Sequence, residues 1–268
     1  MNEQKELSMR CCLRWFAILF LVSINADCQH PEAADIAIYS DSGTWDESVK
    51  ATEKMFQWMG YTVALVDAGH INKEGLANFR IICIPGGDMY QYAQDLSSDG
   101  KENIRSFVRG GGSYIGICGG AYFAASRVVW RGEELQIASL NLFYGIADGP
   151  HDVIIPYPDY GMCKTQIVNS VHPITESLPD MLWILYYWGP VLLPSDTTDL
   201  TILGRYDAIG HPAMMSLEYG EGRVFLIGTH PEIEEDSERD GVEFADELDD
   251  KGSDWDLVKK AVLWCLKK

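Results

Sequence analysis

The chain has 268 residues, is 47% hydrophobic and carries a formal net charge of -19. This length and apolar content support one large domain with a sizeable core and exclude global disorder. The acidic balance excludes nucleic acid and anionic membrane surfaces as partners, because both repel a negative protein.

Residues 1–26 read as a signal peptide. Lys5, Arg10 and Arg14 precede an apolar run over 15–24, and Ala26 offers a small residue for cleavage. The run is about ten residues, too short for a bilayer span of ~20. Export to a periplasmic or extracellular location is therefore expected, with no stable membrane span after cleavage. The alternatives are an uncleaved anchor or a lipidated Cys28, although Asp27 fits poorly before a lipidated cysteine. Of seven cysteines, Cys11 and Cys12 leave with the signal. Five remain, so at least one thiol stays free in an exported chain. Cys83 and Cys265 lie in apolar stretches and read as core residues. Pairing of Cys28 with Cys163 is left open.

Residues 36–39 read as a short buried strand, followed by a turn at Asp41-Ser42-Gly43. Thr44 and Glu47 have capping-box spacing. Trp45, Val49, Thr52, Phe56 and Met59 then recur at helical spacing until Gly60. Strands are expected over 61–66 and 81–84, the second ending in Pro85-Gly86-Gly87-Asp88. A helix from about Lys101 stops at Gly110, and a fourth strand covers 114–117. This alternation, with near-continuous apolar strands, indicates a parallel sheet covered on both faces, with its site at the carboxyl strand ends.

After residue 125 the pattern changes to short strands and loops. Strands over 200–205, 213–219 and 223–227 include a hairpin around Gly220-Glu221-Gly222. Residues 232–256 hold thirteen acidic side chains against Arg239 and Lys251 and read as a solvated loop. A metal-binding acidic loop is the alternative; the spacing matches no calcium loop, so no metal ligands are assigned there. Ser253 and Asp256 are expected to cap a closing helix whose buried stripe is Leu257, Val258, Ala261, Val262 and Cys265. His151, His172 and His211 lack metal-ligand spacing.

The chemistry centres on Gly116-Ile117-Cys118-Gly119-Gly120. Gly-x-Cys-x-Gly between an apolar strand and a run of small residues is the nucleophile-elbow pattern with Cys in place of Ser. A cysteine nucleophile needs a base, and an imidazole needs an acceptor that holds its tautomer. His230 and Glu232 follow the last clear strand, as Cys118 follows an earlier one, so all three are expected at one sheet edge. An oxyanion needs preorganised N–H donors. Gly119, with Gly86 or Gly87, is placed to supply them. Asp41, Asp88 and Tyr122 are candidates to line the cleft, whereas Tyr186, Tyr187 and Trp188 read first as core aromatics.

These residues resemble the class I glutamine amidotransferase-like superfamily, and most closely the domain at the amino terminus of eukaryotic biotin-protein ligases. Five stretches carry the likeness: Ile84-Pro85-Gly86-Gly87-Asp88; Ile117-Cys118-Gly119-Gly120-Ala121-Tyr122-Phe123; Ala147-Asp148-Gly149-Pro150; Tyr186-Tyr187-Trp188-Gly189-Pro190; and Gly228-Thr229-His230-Pro231-Glu232. The resemblance implies a flavodoxin-like three-layer α/β fold with a mostly parallel central sheet, extra β structure in the second half, and one such domain over 35–268. It also implies a Cys118-His230-Glu232 triad, no cofactor, and a small-molecule or peptide substrate. Two departures are visible. No biotin-transferring domain is present, so ligase activity is not implied. Glutaminase members carry a glutamine four residues after the nucleophile, where this chain has Tyr122.

Overall fold

A computed structural model describes residues 34–267 of the chain. The signal-peptide reading of residues 1–26, and Cys28, lie outside the described residues. The first half alternates as expected: β1 (Ile36–Tyr39), α1 (Asp46–Trp58), β2 (Val63–Val66), α2 (Ala68–Lys73), β3 (Ile81–Ile84), α3 (Met89–Asp95), α4 (Ser98–Arg109), β4 (Ser113–Ile117) and α5 (Gly119–Ala124). The second half is strand-rich: β5 (Ala125–Trp130), β6 (Glu133–Glu134), β7 (Phe143–Gly149), β8 (Gly161–Ile167), β9 (Met181–Tyr186), β10 (Val191–Pro194), β11 (Leu200–Tyr206), β12 (Pro212–Tyr219) and β13 (Gly222–Ile227). Two helices, α6 (Ser237–Asp240) and α7 (Trp255–Cys265), close the chain.

The main sheet has nine strands in the order β2-β1-β3-β4-β13-β12-β11-β8-β9. Its first five strands pair in parallel, in the flavodoxin-like arrangement. The remaining four pairings are antiparallel, so the parallel character belongs to the half that carries the elbow. A second sheet, β10-β7-β5-β6, is the extra β structure of the second half.

Side chains alternate across the parallel strands and feed two cores. Ile82, Ile84, Tyr114 and Leu226 pack with Ile104 and Val108 of α4. Ile81, Cys83, Ile115, Ile117 and Phe225 pack with Met55 and Phe56 of α1 and Val258 and Val262 of α7. A strand buried on both faces has no polar side, which is why these strands read as continuous apolar runs. Each such side chain stabilises the fold by about 1.5–3 kcal/mol when fully buried.

Three expectations are corrected. α1 begins at Asp46 with Trp45 at its N-cap, and no side chain caps it. Thr44 instead donates its hydroxyl to the Asp41 carbonyl at 2.7 Å, closing the preceding turn. α7 has Asp254 at its N-cap, while Ser253 Oγ accepts from Trp255 N–H at 3.2 Å. The acidic segment is not simply solvated. Glu232, Glu234, Asp240, Asp250 and Asp254 are buried. Ile233, Val242 and Ala245 anchor the segment on Ala51 of α1 and Leu185 of β9. Three isolated apolar anchors carry no helical or strand period, so the composition hid them. Among the described residues Cys163, Cys83 and Cys265 are buried and have no disulfide partner.

Candidate active site

The site grows from the register of β4 against β13. Ile117 and Ile227 are paired at the carboxyl ends of these strands. Cys118 N–H then donates to the Ile227 carbonyl at 2.9 Å. The two chains therefore leave the sheet side by side, one into the elbow and the other toward His230.

Cys118 has φ 46° and ψ -102°, a strained conformation for a residue with a Cβ. The glycines around it are demanded by space. A Cβ on Gly120 would lie 2.0 Å from the Ile84 carbonyl oxygen, and one on Gly119 would lie 2.3 Å from the Gly87 oxygen. Gly87 itself has φ +148°, in the region that favours glycine.

His230 is held from two directions. Its N–H donates to the Leu185 carbonyl at 2.8 Å, and its Nδ1 lies 2.8 Å from Glu232 Oε1. Both side chains are almost wholly buried. Ser48, on α1, completes the group. Gly86 N–H donates to Ser48 Oγ at 2.9 Å, and that hydroxyl donates to Glu232 Oε1 at 2.6 Å. Oε1 thus accepts from Ser48 and from the imidazole Nδ1–H, which leaves Nε2 as the free ring nitrogen. Among the described residues Nε2 has no hydrogen-bond partner. The Cys118 thiol instead donates to the Tyr187 carbonyl at 3.5 Å. Burial alone would lower the basicity of His230. The charges of Cys118 and Glu232 beside it outweigh that effect and raise its pKa to about 10.

Gly86 N–H is taken by Ser48, which removes it from the candidate oxyanion donors. Gly87 and Gly119 keep N–H groups with no acceptor among the described residues. A Cβ on Gly119 would lie only 2.8 Å from Gly87 N, so these two peptides are in contact beside Cys118.

Cys118 and His230 open into a cleft of about 530 Å³. Its walls are Trp45, Gly87, Asp88, Met89, Tyr90, Tyr122, Trp130, Leu135, Tyr187 and Trp188. Asp88 and Tyr122 are therefore in place. Asp41 is not among the wall residues; its carboxylate accepts from the Ser42 and Ala68 N–H groups at 2.7 and 2.9 Å. Tyr186 is core, whereas Tyr187 and Trp188 face the cleft. Sequence reasoning missed Ser48 and misplaced Trp45. Ser48 carries no motif, and Trp45 fits the stripe of α1 although its ring stands edge-on to His230, with centroids 5.2 Å apart. Carboxylates of Glu235, Asp249 and Asp250 converge within 4.8 Å, but none of them lines the cleft.

Comparison with known proteins agrees with this architecture. Residues 34–261 match the family described as biotin-protein ligase, N terminal. The biotin–protein ligase of Schizosaccharomyces pombe is 28% identical over 185 residues, which is 65% of this chain. The chain spans only 29% of that relative's length. A structure of PurLQS from Thermotoga maritima superposes with a TM-score of 0.57 at 15% identity, covering 86% of this chain and 98% of that one. A glutamine amidotransferase from Thermotoga maritima superposes with a TM-score of 0.53 at 11% identity, covering 88% and 99%. At such identities the two structures establish a shared fold.

Proposed function

The chain belongs to the biotin-protein ligase N-terminal family and has a glutamine amidotransferase-like fold, and from that premise we propose that it is a thiol hydrolase acting on the C–N bond of an amide or small peptide. The observation that carries the reading is the buried His230–Glu232 pair at 2.8 Å, whose unpartnered Nε2 shares a cleft with Cys118. The N-terminal pattern over residues 1–26 supports an exported enzyme.

In this reading the raised pKa of His230 keeps a proton on the imidazole beside the Cys118 sulfur. The sulfur attacks the amide carbonyl, and the N–H groups of Gly87 and Gly119 receive the developing oxyanion. His230 passes its proton to the leaving nitrogen as the C–N bond breaks, which leaves a thioester on Cys118. Water then attacks the thioester with neutral His230 as its base, releasing the acid and restoring the starting proton on His230. Glu232 and Ser48 hold the ring throughout. The steps use side chains and backbone alone.

A second reading is a non-catalytic binding module that keeps the cleft. It is favoured by the thiol donating to the Tyr187 carbonyl rather than to His230. Iodoacetamide separates the two. A catalytic Cys118 should be alkylated fast near neutral pH, and His230→Ala should slow it by about 10²-fold or more. Labelling at the rate of an ordinary free thiol, unchanged by His230→Ala, leaves the binding module.

A further inference from the structure

We infer that the cleft selects amides whose acyl side chain is apolar or aromatic and bears no carboxylate, a specificity that rests on the hydrolase reading of the same site. An arc of rings runs round the cleft from the imidazole. Trp45 stands 5.2 Å from His230, and Tyr187 stands 5.2 Å from Trp45. Trp188 follows at 4.4 Å, Trp130 at 6.5 Å and Tyr122 at 5.8 Å, all as centroid separations. Tyr122 lies one helical turn beyond Cys118 on α5 and lines the same cleft, so the arc runs from the imidazole round to the elbow.

Two of these rings have their polar ends fixed on backbone. Tyr122 donates its hydroxyl to the Trp188 carbonyl at 3.0 Å, and Trp188 Nε1 donates to the Pro158 carbonyl at 3.1 Å. What they offer an occupant is ring surface, which recognises apolar and flat groups. Among the described residues the wall contains no lysine or arginine. Its one carboxylate among the described residues, Asp88, caps α3 by accepting from Tyr90 N–H at 2.9 Å. A free amino-acid substrate such as glutamine carries a carboxylate close to its amide, and that charge would enter a low-dielectric wall whose protonated imidazole, His230, is already held by Glu232 and has no lysine or arginine beside it. An aromatic acyl group would instead replace water against several rings at once.

The wall comes partly from the second sheet, since Trp130 ends β5 and Leu135 follows β6. Trp130 and Leu135 therefore lie on elements separate from those that hold Cys118 and His230, whereas Tyr122 lies on α5, directly after the elbow.

Titration calorimetry on the Cys118→Ala protein tests this without turnover. N-acetyl-phenylalaninamide is expected to bind about tenfold or more tightly than L-glutamine. Trp130→Ala should weaken the aromatic amide severalfold, with Trp130→Phe retaining most of the affinity. Leu135→Lys, which adds a cation to the wall, should shift the ratio toward glutamine. Glutamine binding as tightly as the aromatic amide overturns the assignment, and so does absence of saturable binding by the aromatic amide. Slow alkylation of Cys118 in the unmodified protein would instead remove hydrolysis while leaving this preference standing.

Discussion

Ser48 Oγ lies 2.6 Å from Glu232 Oε1, and the same oxygen receives the N–H of Gly86 at 2.9 Å. One hydroxyl on α1 therefore joins the turn after β3 to the carboxylate behind His230. A hydrogen bond to a charged group is worth about 1.5–3 kcal/mol. Ser48→Ala should slow Cys118 alkylation by roughly tenfold or more and lower the melting temperature by a few degrees. If the variant alkylates at the wild-type rate, Ser48 does not position the pair.

Substitutions at two neighbouring glycines should act differently. A Cβ on Gly86 meets His230 Cε1 at 2.5 Å, a side-chain atom that can be pushed aside. Gly86→Ala should displace the imidazole and reduce thiol reactivity by about 10²-fold, with a smaller effect on stability. A Cβ on Gly120 meets the Ile84 carbonyl oxygen at 2.0 Å, which is backbone and cannot yield cheaply. Gly120→Ala should destabilise the fold by about 2 kcal/mol or more. Paired denaturation and labelling measurements distinguish the two effects.

The His230 pKa is raised from 6.5 to about 10, with burial opposing and the charges of Cys118 and Glu232 prevailing. The folded state binds this proton more tightly than the unfolded chain. Its stabilising contribution is complete below 6.5 and fades as pH rises toward about 10. His230→Gln should therefore cost more stability at pH 6 than at pH 10. Cys118→Ser removes a sulfur that helps raise the His230 pKa and should move the His230 titration to lower pH, followed by the imidazole proton resonances in NMR. An unmoved titration would show that the sulfur exerts no field on the ring.

Asp254 shows the opposite economy of charge. Burial, with Glu234 and Asp250 nearby, raises its pKa well above 3.8. Folding is favoured by this group at low pH and opposed as pH rises above its unfolded value. Asp254→Asn should stabilise the protein at pH 7 by about 1 kcal/mol, or roughly 2–4 °C in melting temperature. The gain should vanish below about pH 4, so thermal melts at the two pH values give the comparison.

The parallel half of the fold was legible because its strands are apolar on both faces and end in glycine turns. The gathering of Cys118, His230 and Glu232 was legible for the same reason: parallel strands deliver their carboxyl ends to one edge. What the sequence concealed depended on tertiary neighbours. Ser48 matters only because α1 sets it against Gly86 and Glu232. Trp45 fits a helical stripe equally well whether its ring enters the core or the cleft. The buried carboxylates of 232–256 were hidden because composition reports charge without saying which side chains a few apolar anchors pull inward.

The pairing of Ile117 with Ile227 has one more consequence. The Cys118 sulfur and the His230 imidazole are set by adjoining strands that are distant in sequence, whereas Trp130, Leu135 and Trp188 lie in the chain between them. The two halves of the site are consequently free to evolve at different rates. Exchange of β5 and β6, which carry Trp130 and lead to Leu135, can change which molecules enter while the sulfur and imidazole stay where they are. The same division gives protein engineering a cassette made of β5 and β6.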